Sequence, residues 1–252
     1  MSLRRKIRDR IRAPDDHRRY VRRLFDRIAG RYDLTNDVMS LGLHRRWKRR
    51  LVDMAELEPG DAVLDLAAGT GDLALEVVRR EHGGPVVAGD LSPGMMREGR
   101  GRSGAGRIAW VGCDALELPF PAGSFDRVFV GYGLRNFPDL RRSLGEIRRV
   151  LRAGGWLLTL DFGKPPSPVL RTLYLRYLEL STAAAGWLLH RDREAYLYIP
   201  ESLRKYPDQD GVADAMLQAG FEVCGWTDLV FGAMAVHAAR VPAPPTSSGA
   251  PG

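Results

Sequence analysis

Apolar residues recur along this chain with two periods, and the change from one to the other divides it. Leu3, Ile7 and Ile11 lie four apart and form one stripe of a basic amphipathic stretch over residues 1–13, which Pro14 breaks. Val21, Leu24, Phe25 and Ile28 repeat at helical spacing and predict a helix over residues 18–29, with Gly30 as its stop. Residues 36–56 predict one or two further helices interrupted near Gly42, and Pro59-Gly60 predicts a turn. Beyond that turn, short apolar runs alternate with helical stretches. Strands are expected at Ala62–Ala67, Pro85–Gly89, Ile108–Gly112, Arg127–Gly131 and, after a turn at Gly154-Gly155, Trp156–Phe162. Helices are expected at Asp72–Arg80, from about Pro93, and at Leu140–Leu151. This βαβα alternation implies a mostly parallel sheet covered on both faces.

Residues 165–207 break the rhythm: the stretch is helical in pattern, rich in tyrosine, and too long for an ordinary connection, so it reads as a functional insertion or lid. A helix at 208–219 ends at Gly220, and strands at 221–229 and 231–239 read as a closing antiparallel pair around Gly232. The resulting division is a basic helical cap over 1–56, a ligand-binding domain over 57–240, and a tail, 241–252, whose prolines and small polar residues predict disorder.

Composition adds exclusions. The chain has 252 residues, 44% of them apolar and 27% charged, which is ordinary for a globular protein. No run of eighteen apolar residues is present, and no apolar segment follows Met1–Lys6, so neither a membrane span nor a secretory signal is expected. Cys113 and Cys224 are far apart and outside any C-x-x-C, which leaves no raw material for a disulfide framework or a zinc site; two buried thiols in a reducing cytoplasm are expected. The five histidines are not spaced as metal ligands, although His44 is a candidate proton acceptor. Net charge is +7, but it is uneven: residues 1–50 hold 17 Lys and Arg against 6 Asp and Glu, or +11, and the rest of the chain is −4. A basic N-terminal segment suggests an anionic partner, and the Leu3/Ile7/Ile11 stripe among arginines resembles an interfacial helix on an anionic lipid surface. Nucleic acid is not expected, because no zinc-finger, RRM or basic-zipper pattern accompanies the charge.

The strongest chemical signal is Val63-Leu64-Asp65-Leu66-Ala67-Ala68-Gly69-Thr70-Gly71-Asp72, a buried strand running into a glycine turn and then a helix. Gly69 and Gly71 let backbone approach a ligand closely, and the helix offers free N–H groups. Gly69-x-Gly71-x-x-Ala74 with Asp90 downstream also satisfies the loose dinucleotide fingerprint. Three features favour S-adenosylmethionine over NAD. Asp65 gives the D-x-x-x-G-x-G order that resembles class I methyltransferases; acids lining the turn suit a sulfonium with an ammonium group better than a pyrophosphate; and Gly112-Cys113-Asp114-Ala115 follows the third strand.

Three further blocks narrow the resemblance: Tyr32 to Lys48 (YDLTNDVMSLGLHRRWK), Tyr132-Gly133-Leu134-Arg135-Asn136, and Tyr196-x-Tyr198-Ile199-Pro200-Glu201-Ser202-Leu203 with Tyr206-Pro207-Asp208-Gln209 behind it. In order, and covering about residues 20–240, they resemble the ubiquinone/menaquinone biosynthesis C-methyltransferase family. The resemblance implies a Rossmann-like, doubly wound, mostly parallel seven-stranded sheet with an antiparallel last strand, an N-terminal helical cap and a helical insertion. It implies a cytoplasmic, membrane-associating enzyme that moves a methyl group from S-adenosyl-L-methionine to a ring carbon of a polyprenylated quinol, leaving S-adenosyl-L-homocysteine. Demethylmenaquinol is the preferred acceptor, with a ubiquinone precursor or another phenol as alternatives. Cofactor contacts are expected from Asp65, Gly69, Thr70, Gly71, Asp90, Asp114, Ala115 and Gly131; the last stands where some members carry serine. Arg135, Asn136 and Tyr32 are expected to face the acceptor, with Arg135 stabilising a phenolate rather than taking a proton. Homodimerisation is left open, and no metal is expected. A base-methylating role is disfavoured because Gly131-Tyr132-Gly133-Leu134 stands where an N-P-P-Y tetrad would be.

Overall fold

A computed structural model describes residues 3–185 and 193–243. The chain opens with helices α1 (Leu3–Arg10), α2 (Pro14–Ile28), α3 (Tyr32–Ser40) and α4 (Leu43–Asp53). A sheet domain follows, with β1 (Val63–Leu66), α5 (Asp72–Arg79), β2 (Val86–Asp90), α6 (Pro93–Arg100), β3 (Ile108–Gly112), β4 (Phe125–Gly131), α7 (Leu140–Val150) and β5 (Leu151–Phe162). The insertion supplies α8 (Pro168–Ala185) and α9 (Arg193–Lys205); α10 (Gln209–Gln218), β6 (Glu222–Leu229) and β7 (Met234–Arg240) close the domain. The seven strands run in the order β3-β2-β1-β4-β5-β7-β6. Only β7 is antiparallel to its neighbours, β5 and β6. The expected disordered tail falls, from residue 244 on, outside the described residues, as do Trp187, His190 and the side chains of Tyr196 and Cys224.

Alternation along the central strands builds two cores. Leu64, Val128, Val130 and Leu157 face α7 and α10, while their neighbours Val63, Phe129 and Leu158 face α4 and α5. Both faces are thus apolar, as expected of strands buried on both sides. Because β1 and β4 are adjacent and the chain winds outward from them in opposite directions, their C-terminal ends bound the crevice where open α/β sheets bind ligands. The backbone is left-handed at both ends, at Ala67 (φ 56°) and Tyr132 (φ 59°). Gly133 allows the approach: a Cβ there would lie 2.8 Å from the Cβ of Ala67.

Three expectations are corrected. Pro14 begins α2 rather than merely breaking the preceding stretch, because the first helical position has no intrahelical use for an N–H. Strand β5 starts at Leu151 and runs through Gly154-Gly155, where a turn was expected; the irregularity is absorbed by a register shift between Phe125 and Arg127. The Leu3/Ile7/Ile11 stripe does not face outward. Ile7 is 0% exposed, and with Ile11 it packs on Tyr20, Leu24 and Tyr198, so α1 and α2 seal the insertion helix α9. Burying each such side chain favours the folded cap by roughly 1.5–3 kcal/mol.

Candidate active site

Two spaces open at the C-terminal edge of the sheet. The first is a cleft of about 690 Å³ along the ends of β1, β2, β3 and β4. Of the expected site residues, the structure brings Tyr32, Gly69, Asp90, Asp114, Ala115, Gly131 and Asn136 to its wall. Asp90, at the end of β2, accepts hydrogen bonds from the Gly69 N–H (2.7 Å) and the Ser92 N–H (2.7 Å), so the glycine turn and the start of α6 hold its carboxylate at the rim. Burial pushes Asp90 upward, and those two N–H groups oppose the shift. Asp114 accepts from the Leu116 N–H (3.0 Å) and from Arg18 (2.9 Å), an arginine of the cap. Between the acids the wall is apolar, with Leu91, Met95 and Ala115. Burial, then Asp90 and Asp114, push the Cys113 thiol up to about 12, so it stays protonated and serves as apolar wall.

The other expected cofactor residues lie behind this wall. Asp65 is buried under the turn and accepts from the Ala74 N–H (2.9 Å). It does the capping that Gly71, at the N-cap of α5 and without a side chain, cannot. Burial raises its pKa to about 7. Gly71 faces Trp110, whose ring would stand 2.5 Å from a Cβ there. Thr70 turns toward the cap, donating to Asp33 (2.7 Å) while Arg102 donates to its carbonyl (3.0 Å). Gly131 is glycine for a local reason: a Cβ would lie 2.8 Å from Leu73 Cδ1, so a serine here requires that leucine to move.

The second space is larger, about 1370 Å³, and mostly apolar. The cap contributes Leu24, Met39 and Trp47, the insertion contributes Tyr174, Tyr177 and Leu178, and the loop before β7 contributes Val230 and Ala233. Tyr177 donates to the Met39 carbonyl (2.8 Å) and Tyr174 to the Ala233 carbonyl (3.0 Å), which ties α8 to both sides. Phe25, Tyr32 and Tyr132 wall both spaces. Arg135 belongs to this second space. Its Nε is 3.5 Å from Asp161, its Nη1 donates to Asn136 Oδ1 (2.8 Å), and its guanidinium lies 5.0 Å from the Phe162 ring centroid. Asn136 Oδ1 also accepts from the Tyr198 hydroxyl (2.9 Å), and Asn136 donates to the Tyr132 carbonyl (3.1 Å). Arg135 and Asn136 are therefore one rigid unit, with Tyr32 across the junction.

Sequence reasoning passed over Arg18, which lies in the cap and carries no local signal, and over the individual role of Asp33, although it stands in the Tyr32–Lys48 block. It also passed over the individual role of Tyr132, although that residue stood in a quoted block. His44 is in the wall of the larger space. Its Nε2 pairs with Asp37 Oδ1 (2.9 Å), and its Nδ1 is buried without a hydrogen bond. Burial, then Lys48, lower its pKa, so it is neutral at pH 7. In the same wall, Asn36 Nδ2, Tyr132 Oη and Arg135 Nε are also buried without hydrogen-bond partners. Unpaired buried polar atoms are uncommon, and their gathering around one cavity points to a ligand with polar atoms of its own.

The first space fits S-adenosylmethionine by its donor set. Its single cation among the described wall residues, Arg18, is already paired with Asp114, which leaves nothing to neutralise a pyrophosphate. Carboxylate at Asp90 suits a ribose diol, and the apolar stretch beside Asp114 suits a flat base.

Comparison with known proteins bears on the family and the fold. The profile of the ubiE/COQ5 methyltransferase family matches residues 13–240. The ubiquinone/menaquinone biosynthesis C-methyltransferase UbiE of Paracoccus denitrificans is 42% identical over 229 residues, 89% of this chain and 92% of that protein. The protein of the same name from Xanthomonas campestris pv. campestris is 41% identical over 230 residues, 89% and 91% of the two chains. Among solved structures, an S-adenosylmethionine-dependent methyltransferase of Thermotoga maritima superposes with a TM-score of 0.62 at 19% identity, covering 87% of this chain and 98% of that one. A methyltransferase solved in complex with the Haloferax volcanii Trm112 activator gives 0.65 at 16% identity, covering 86% and 97%. At these identities the structural matches establish the fold.

Proposed function

The chain belongs to the ubiE/COQ5 methyltransferase family and is an S-adenosylmethionine-dependent methyltransferase, and from that premise we propose that it methylates a ring carbon of a polyprenylated quinol, specifically demethylmenaquinol. The observation that carries this reading is the larger cavity. Its wall is mostly apolar, as a prenyl chain requires, it shares Phe25, Tyr32 and Tyr132 with the cofactor cleft, and four unpaired polar atoms in its wall offer partners to a quinol ring.

When bound, S-adenosylmethionine supplies a sulfonium methyl group, and the S–C electron pair stays with sulfur as the new C–C bond forms. The ring carbon becomes nucleophilic when the adjacent quinol hydroxyl loses its proton, and the C–H proton leaves afterwards to restore aromaticity. Arg135 offers a planar, cationic fork of donors, so its part is to hold the quinolate oxygen. Neutral His44, oriented by Asp37, is the wall residue suited to accept the hydroxyl proton. Tyr32 and Phe25 close the junction against water.

A bilayer-resident acceptor requires access from the membrane. No described helix is long and apolar enough to cross one. Support for peripheral contact comes from the cavity mouth: Leu41 (83% exposed) and Val230 line it, Phe231 (79%) stands beside it, and Tyr177 and Leu180 are exposed on α8. Leu41, Val230 and Phe231 all hold a left-handed backbone, which is costly for non-glycine residues. The same helix that lends the cavity Leu43, His44 and Trp47 carries exposed Arg46, Arg49 and Arg50, which suit anionic headgroups. Because the α1 stripe is buried, contact would run through these loops and α8.

The deciding experiment incubates the protein and labelled S-adenosylmethionine with demethylmenaquinol, a ubiquinol precursor and soluble phenols. Label in demethylmenaquinol is expected. Preferential label in the ubiquinol precursor or a soluble phenol would replace the acceptor assignment. Flotation on anionic and neutral vesicles tests the rim; salt-sensitive recovery on anionic vesicles is expected, and none on either would discard membrane contact.

A further inference from the structure

We infer that the hydroxyl of Tyr132 donates a hydrogen bond to the acceptor's oxygen on the ring carbon next to the one being methylated, acting with Arg135 as a second donor to the quinolate. This rests on the quinol reading and assigns the residue that completes it.

Four observations converge on this side chain. Its ring walls both the cofactor cleft and the acceptor cavity, so it stands at the junction where the reacting carbon must lie. Its Oη is buried and has no hydrogen-bond partner, although a buried hydroxyl costs stability unless it is paired. The polar groups acting on it are Tyr32, Tyr174 and Arg135, which line the acceptor cavity, and Asp161, which pairs with Arg135; Lys48 Nζ on α4 lies 5.5 Å from its ring centroid. Lastly, the backbone is strained to place it there. A bulky aromatic is held at φ 59°, pinned by its N–H to the Leu160 carbonyl (2.6 Å) and by Asn136 at its own carbonyl (3.1 Å). Strain of this kind persists where surroundings over-determine it, and it clusters at functional sites.

Chemistry decides between donor and base. Burial raises the phenol well above its ordinary range, so the hydroxyl keeps its proton and donates. Arg135 is already shared between Asp161 and Asn136. A neutral donor in the same wall stabilises the anion that forms as the quinol hydroxyl loses its proton, without holding the neutral quinol equally strongly. In the step served, the ring carbon's electron pair forms the C–CH3 bond, the S–CH3 pair departs with sulfur, and the displaced ring proton leaves to solvent. Tyr132 itself neither gains nor loses an atom. A packing role would be met equally well by phenylalanine.

Tyr132→Phe removes the hydroxyl and keeps ring and backbone. Loss of one oxyanion donor typically lowers turnover 10²- to 10³-fold. The expected result is a kcat reduced about 100-fold on demethylmenaquinol, cofactor Kd within twofold of wild type, and a melting temperature unchanged or raised, because an unpaired buried hydroxyl has gone. Fluorotyrosines at position 132 supply the second readout: kcat should vary systematically with phenol acidity. Wild-type kcat in Tyr132→Phe, a flat fluorotyrosine series, or a fall in kcat matched by lost stability and cofactor affinity would each overturn the inference. Wild-type protein that labels no quinol in the same assay would overturn the quinol reading and this inference with it.

Discussion

The cofactor cleft and the acceptor cavity meet at one wall yet are built on opposite terms. In the cleft, both lining acids are already engaged by the protein, Asp90 by two backbone N–H groups and Asp114 by Leu116 and Arg18, and Asp65 behind the wall is engaged by Ala74. In the cavity, Asn36, His44, Tyr132 and Arg135 each keep a buried polar atom without a hydrogen bond. The cleft is assembled mainly from strand–turn–helix units a few residues long, with the cap adding Arg18, Phe25 and Tyr32. The cavity is assembled from a cap and, well over a hundred residues further along the chain, an insertion and a hairpin loop. A preorganised cleft sets affinity before any ligand arrives, whereas an unsatisfied cavity gains its hydrogen bonds only with an acceptor in place.

The largest test of that contrast is Arg135→Ala. It should lower kcat about 10²- to 10³-fold with little change in cofactor Kd. It also strands buried Asp161, at a cost of about 3–5 kcal/mol in denaturant unfolding. Adding Asp161→Asn should recover stability without recovering turnover; recovery of both would make Arg135 structural. Arg135→Lys should rescue only partly, since the planar fork is lost.

Next comes acidification. Burial, then Lys205, lower His17 from 6.5 to about 4, and its Nε2 lies 3.2 Å from the Tyr198 hydroxyl that holds Asn136. Between pH 6.5 and 4 the unfolded chain binds a proton that the folded protein refuses. Stability should therefore be unaffected by His17 above pH 6.5 and fall as pH drops toward 4, by up to about 1.4 kcal/mol per unit. His17→Asn should flatten its share of this slope in urea titrations, leaving the part due to His44 and His237, which shift the same way. An unchanged slope would remove His17 from the account.

Asp90→Ala probes the cleft alone. Losing a carboxylate acceptor of the ribose should weaken S-adenosylmethionine roughly 10- to 100-fold by calorimetry, corresponding to about 1.5–3 kcal/mol for a hydrogen bond to a charged group. The acceptor KM should stay near wild type. Equal losses for both ligands would mean that the two spaces are not separable. The smallest effect is expected from Tyr177→Phe. Its hydrogen bond to the Met39 carbonyl is exposed, so stability should fall by only about 0.5–1.5 kcal/mol, with acceptor KM rising slightly and cofactor Kd unmoved.

What could be read along the chain follows the same divide. The turn at Gly69–Gly71, Asp90 and Asp114 were legible because each sits at the end of a strand whose period is local. Period alone could not show that Ile7 and Ile11 pack inward, because an amphipathic stripe looks the same against Tyr198 as against lipid. Nor could it show that Asp33 would reach Thr70, or Arg18 reach Asp114, from a cap far upstream. The left-handed turn of Tyr132 was hidden for a different reason: aromatic residues rarely adopt it, so nothing in the residue type signals it.

Tyr32 forms part of both walls, and its ring reaches to 3.9 Å from where a side chain at Gly69 would begin. A single ring cannot settle separately against two ligands. Whatever orientation it takes on one is the orientation the other must meet, so the two affinities are thermodynamically linked. Such linkage is reciprocal: the factor by which the quinol changes the hold on the methyl donor equals the factor by which the donor changes the hold on the quinol. On the proposed reading, in which one ligand is dissolved in water and the other in lipid, that shared ring joins the binding of a donor from one phase to the binding of an acceptor from the other.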